Sequence, residues 1–131
     1  MNAPQVGTTL PEITVVTDPV RLFSYSALTW NPHRIHYDAP YTLDEEGYPG
    51  LVVQGPFLAG LLLRCAQEWA VGRGRIAKAT SRSSVPVYSG DTVIVCGEVT
   101  GVDGDLVELD LCLRRADGAA AAEGTVHVRL T

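Results

Sequence analysis

Gly55-Pro56-Phe57-Leu58-Ala59-Gly60-Leu61-Leu62-Leu63-Arg64-Cys65-Ala66-Gln67-Glu68-Trp69-Ala70-Val71 is the stretch on which the fold turns. Its spacing predicts a helix over 56–71. Gly55 suits the N-cap, and Pro56 suits the first helical position, where a missing N–H costs little. Phe57, Leu58, Leu61, Leu62, Leu63, Cys65, Ala66, Trp69 and Ala70 cover most of the circumference. Only Arg64, Gln67 and Glu68 make a narrow polar stripe, so the helix must be enclosed on most sides. Gly72 and Gly74 then end it. The run from Gly50 to Leu63 is too short, and too interrupted by Gln, Gly and Pro, to cross a bilayer.

Downstream lies the material for an enclosure. Thr92–Val102, Leu106–Ala116 and Gly124–Leu130 are rich in Val, Leu and Thr and read as strands, with Ile76–Val85 a weaker fourth. Asp103-Gly104 and Asp117-Gly118 fall between them as hairpin turns. Pro86-Val87-Tyr88-Ser89-Gly90-Asp91 is a tight link into the first strong strand. Upstream, residues 11–24 read as extended chain broken at Asp18-Pro19. Ser26 is placed to cap a short helix through Trp30, Pro32 imposes a bend, and 39–50 reads as a loop. The fold class is therefore α+β: an antiparallel sheet laid around one long helix.

At 131 residues the chain is long enough for one domain with a real core, spanning 1–131. A formal net charge of −5 argues against nucleic-acid binding by general electrostatic attraction. Basic residues do gather at Arg64, Arg73, Arg75, Lys78 and Arg82, as a site for a phosphorylated ligand or as solvated surface. Cys65, Cys96 and Cys112 stand far apart without Cys-x-x-Cys spacing and read as buried free thiols. The opening Met1-Asn2-Ala3-Pro4 has no charged signal-peptide region, so the expectation is a soluble cytoplasmic protein.

Polar chemistry concentrates at Thr29-Trp30-Asn31-Pro32-His33-Arg34-Ile35-His36-Tyr37-Asp38, which holds two of the three histidines. Imidazole titrates near working pH and suits a general base. The helix opening at Gly55 offers an unpaired backbone N–H to a developing oxyanion, and Pro56 has none to offer. Several readings stay open. His33 either shares the proton transfer or is structural. Asn31 either orders an oxygen or caps the turn at Pro32. Asp38 either orients an imidazole or begins the Asp38-Ala39-Pro40 turn. Arg34 pairs with a substrate carboxylate or with Asp38, and Gln54 lines the pocket. His127, alternating with Val126 and Val128, reads as a surface residue. His33, His36 and Asp38 alone make a thin metal signature, so no metal is expected. A serine nucleophile lacks its Gly-x-Ser-x-Gly elbow.

Together, the Phe23–Asp38 stretch, the Gln54-Gly55-Pro56 helix opening and the Pro-Val-x-x-Gly-Asp turn at 86–91 resemble the hot-dog fold. More closely they resemble the MaoC-like (R)-specific enoyl-thioester hydratases and 3-hydroxyacyl-thioester dehydratases. The branch they are most similar to holds mitochondrial-type dehydratase 2 and mesaconyl-CoA hydratases. The resemblance spans nearly the whole chain and implies a hydro-lyase acting, without a cofactor, on a CoA or acyl-carrier thioester. The acidic surface makes CoA the better fit. His36 takes the position of the family's acid/base. Asn31 falls where the commoner pattern Gly-Asp-x-Asn-Pro-Leu-His has its Asp, and His33 where that pattern has Asn. An amide does not titrate usefully, so Asn31 is left to order water or a hydroxyl, with His33 assisting. Gly55 would polarise the carbonyl, and Trp30, Arg34, Gln54 and Arg82 would contact substrate. The resemblance also implies a homodimer or a heterodimer with a related hot-dog chain. The absent Asp keeps open a non-catalytic or half-catalytic subunit, and thioester hydrolysis is a third reading.

Overall fold

The computed structural model describes residues 2–131. Its elements run β1 (Ile13–Val16), α1 (Pro19–Thr29), a single 3-10 turn (Arg34–His36), α2 (Ala39–Asp44), α3 (Gly55–Ala70), β2 (Gly74–Ser83), β3 (Thr92–Asp103), β4 (Leu106–Arg115) and β5 (Ala120–Leu130). The strands form one sheet in the order β1-β3-β4-β5-β2, with every pair antiparallel. Helix α3 lies against β2, β3, β4 and β5, so the sheet wraps it as the sequence implied.

Alternation in the strands and periodicity in the helix meet in the core. Val95, Val99, Val107, Leu109, Leu111, Leu113, Val126 and Val128 present their side chains to Leu58, Leu61, Leu62, Cys65, Ala66 and Trp69. Enclosure of α3 is less complete than its composition suggested: Leu63 stays partly exposed beside Arg64, Gln67 and Glu68. Glycine stands where the inner face of the sheet has no room for a side chain. A Cβ on Gly124 would stand 2.8 Å from the Thr80 carbonyl oxygen and 3.2 Å from Leu62 Cδ1. Gly97, in the same cross-strand row through Leu111, would bring one within 2.8 Å of the Asp110 carbonyl oxygen.

Two segments differ from the sequence reading for one physical reason. Residues 19–24 are helical, not extended, and run on into the helix expected before Trp30: Asp18 accepts the Arg21 N–H at 2.8 Å, and Pro19 occupies the first turn. Residues 39–44 are helical rather than loop, because Asp38 accepts the Tyr41 N–H and Pro40 again sits in the first turn. Asp followed closely by Pro was a helix start in both places, since a first-turn N–H needs no intrahelical partner. Ser26 is accordingly a buried mid-helix residue and not a cap. Gln54, not Gly55, is the N-cap of α3.

The hairpin turns fall as expected, with Gly104 at φ 60° and Gly118 at φ 87°. The 86–91 link closes through Tyr88 N–H to Asp91 Oδ2 at 2.9 Å. Among the described residues no helix is long and apolar enough to cross a membrane.

Gly124→Ala is expected to lower unfolding stability by about 1–3 kcal/mol, the usual range for overpacking, read as a lower urea midpoint. Gly101→Ala is the matched control, since its Cβ would meet nothing closer than 3.5 Å.

Candidate active site

Helix α1 ends at Thr29, and Trp30 turns the chain in the left-handed region at φ 53°. Asn31 then bridges Pro32, its Oδ1 accepting the His33 N–H at 3.2 Å. His33 caps the 3-10 turn, its Nδ1 accepting the Ile35 N–H at 3.3 Å. A ring nitrogen that accepts carries no proton, so the proton of neutral His33 sits on Nε2.

His36 is held in the opposite sense. It is buried, and its Nδ1 lies 2.6 Å from the Val52 carbonyl oxygen. A carbonyl only accepts, so Nδ1 donates and Nε2 presents its lone pair. Burial holds the His36 pKa below the ordinary 6.5; the Val52 bond acts against this and the neighbouring His33 with it. The imidazole is thus a neutral base at physiological pH. The two rings stand 5.8 Å apart between centroids.

Val52 joins this cluster to α3. Its N–H donates to the Ile35 carbonyl at 2.9 Å, while the next amide, Val53 N–H, donates to Val87 at 2.8 Å. Two residues on, α3 opens. The Phe57 and Leu58 amides both return to the Gln54 carbonyl, and Pro56 has no N–H. Among the described residues nothing accepts from the Gly55 amide. A Cβ at Gly55 would meet only Ser83 Oγ, at 3.7 Å. Internal packing therefore does not require glycine here.

The other candidates divide. Gln54 does not line a pocket: it is fully buried, and its Nε2 donates to the Leu22 carbonyl at 2.8 Å and to Ser26 Oγ at 2.9 Å, tying α1 to α3. Arg34 is engaged within the protein, bonded through Nε and Nη2 to Asp38 and stacked 4.0 Å over the Tyr41 ring. Asp38 consequently caps α2 and pairs with Arg34 rather than orienting an imidazole, and the bond from Arg34 lowers its pKa. No three His, Cys, Asp or Glu among the described residues converge as metal ligands. Trp30 is 92% exposed and edges an apolar pocket of about 330 Å³ shared with Phe23, Ala27, Asn31 and Tyr37.

Arg82 is not brought to this cluster. It pairs with Glu123 at 3.6 Å on the outer face of the sheet. Its neighbour Ser83 faces Gly55 instead, a consequence of strand alternation that no local signal announced. Nor did any signal mark Val52, whose carbonyl sets the His36 tautomer. His127 is not simply a surface residue: it is half-buried, with Nε2 3.2 Å from Glu108.

Residues 2–89 match the model of the hydroxyacyl-thioester dehydratase type 2 family. The chain belongs to that family. It is 42% identical over 115 residues to the mesaconyl-C(4)-CoA hydratase of Chloroflexus aurantiacus, covering 88% of this chain and 39% of that protein. The chain thus spans about two fifths of that relative's length. Among solved structures, the ChsH1–ChsH2 complex of Mycobacterium tuberculosis contains a chain with TM-score 0.88 and 28% identity, covering 97% of this chain and 98% of that one. The (R)-hydratase of A. caviae, at 20% identity, aligns over 100% of both chains with TM-score 0.89, which establishes the hot-dog fold.

The lowered His36 pKa has a consequence for stability. Below 6.5 the unfolded chain takes up the proton more readily than the folded one, so stability falls as pH drops through 6.5 until the folded-state pKa is passed. Urea melts between about pH 8 and about pH 5 should show this fall, and His36→Gln should reduce it.

Proposed function

We propose that the chain adds water across the double bond of a trans-2-enoyl thioester, or removes it from a 3-hydroxyacyl thioester in reverse. The observation that carries this reading is the His36 Nδ1–Val52 bond, which leaves Nε2 free to act as a base and ties the ring to the segment that leads into α3. Family membership supports the same chemistry.

In this reading the Asn31 side-chain amide, whose oxygen is occupied by the His33 N–H, donates from Nδ2 to the attacking water. His36 Nε2 takes a proton from that water as its oxygen bonds to Cβ. The π pair moves through Cα onto the thioester oxygen, where the Gly55 N–H receives it, an interaction worth on the order of 3 kcal/mol. The His36 imidazolium then returns the proton to Cα. Water has been added, and His36 is neutral again.

His33 assists without transferring a proton. Its Nδ1 already accepts the Ile35 N–H, so it offers Nε2–H as a donor to oxygen. Glycine at 55 fits an approach from outside, since the protein itself leaves room for a methyl group there. Trp30 and the apolar pocket it edges would take part of the acyl group. Arg34 and Arg82 are already paired within the chain and give this reading no support as substrate contacts.

His33 and Trp30 stand open to solvent, so the site needs a cover. A second hot-dog chain, identical or related, would supply it. The likeness to one chain of the ChsH1–ChsH2 complex supports such a pairing. This also sustains the reading as a subunit that completes a partner's tunnel. Thioester hydrolysis has less support, because the first turn of α3 holds no acidic residue.

Loss of enoyl absorbance with a panel of trans-2-enoyl-CoA thioesters tests the proposal. His36→Ala should lower the rate by roughly 10²–10⁴-fold. His33→Gln, which keeps an N–H donor, should retain more activity than His33→Ala. A well-folded, dimeric chain inert across the panel would overturn self-sufficient hydration, and release of free CoA thiol would indicate hydrolysis instead.

A further inference from the structure

Cys96 and Cys112, separated in sequence, meet across the sheet. They are direct partners in the β3–β4 register, so their side chains leave the same face. That face is turned away from α3, because their neighbours Val95, Leu111 and Leu113 are the buried ones. Both cysteines are half-buried and line a groove of about 750 Å³ on the outer surface.

Backbone bonding defines the type of pair. The Leu10 N–H donates to the Gly97 carbonyl, and the Val99 N–H to the Thr8 carbonyl. Residues 97 and 99 thus turn their polar groups towards the N-terminal segment, and Cys96 turns its own towards Cys112. Hydrogen-bonded antiparallel partners have Cα atoms about 5.5 Å apart, within the disulfide range, but Cβ atoms at about 5 Å, beyond the roughly 3.5–4.5 Å of a relaxed disulfide, so closure must draw the strands together and leaves a strained, readily reduced bond. Cys96 Sγ already lies 3.7 Å from the Cys112 carbonyl oxygen. Cys65 differs: it is buried on α3, bonded to the Pro11 carbonyl, and burial pushes its pKa up to about 11.

We propose that Cys96 and Cys112 form a dithiol site that a low-molecular-weight disulfide closes to a reversible cross-strand disulfide. One cysteine thiolate attacks the oxidant, forming a mixed disulfide and releasing one small thiol. The second thiolate attacks the protein sulfur of that mixed disulfide and releases the other. Two protein thiols are oxidised, the oxidant is reduced to two thiols, and the two protons end on those products. Burial pushes the Cys112 thiol up, against the pull of Arg114, so closure calls for excess oxidant. The site lies on the face opposite the helix and is independent of the hydration reading.

The test incubates the full native chain with excess oxidised glutathione, then counts thiols after denaturation and measures the intact mass. The thiol count should fall from three to one, with a mass loss of two hydrogens, a Cys96–Cys112 cross-linked peptide, and full recovery in dithiothreitol. Cys96→Ser should stop at a glutathione adduct on Cys112, and Cys65→Ser should close normally. Three surviving thiols, a persistent glutathione adduct on the unmodified sequence, or a disulfide between chains would each overturn the proposal.

Discussion

The contact between α3 and the sheet is the constraint on which everything else rests. An isolated helix as apolar as Gly55–Ala70 has no stable place in water, and five strands with one apolar face have none either. Each is the other's only adequate cover. At Gly124 the two meet so closely that a Cβ would crowd both Leu62 and the Thr80 carbonyl. Wrapping α3 fixes the direction of its first turn, and with it the direction of the Gly55 amide.

The candidate site is joined to that helix through the Val52 backbone and through the Gln54 side chain. Val52 donates to the carbonyl of Ile35 and accepts from His36, while Val53 donates to Val87 beside β3. One extended tripeptide therefore couples the histidine turn, the helix opening and the sheet. The two rings are held in opposite senses, His33 with Nδ1 taken by the Ile35 N–H and His36 with Nδ1 bonded to the Val52 carbonyl. Backbone groups, and no carboxylate, set both orientations.

Much of this was legible beforehand, and the failures share a cause. The long helix, the three strong strands and both Asp-Gly turns announce themselves by local periodicity and by the need for positive φ. The starts of α1 and α2 did not, because Asp and Pro punctuate loops and open helices with the same residues. Only the partner donating to the Asp carboxylate, the Arg21 or Tyr41 amide, separates the two. Gln54 and Arg34 are polar groups near the right place, but Gln54 is buried against α1 and Arg34 is bonded through two nitrogens to one oxygen of Asp38.

By itself the sequence determined which residue types carry chemistry and that one apolar helix must be wrapped by strands, since side-chain polarity and periodicity are local properties. Only the tertiary structure decided which nitrogen of each histidine is free, that Ser83 rather than Arg82 faces Gly55, and that Cys96 stands opposite Cys112. The strand assignments depend on register, and the His36 state on a backbone partner distant in sequence. A register shift of one residue would reverse the Ser83 and Cys96 assignments without altering the composition of a single strand.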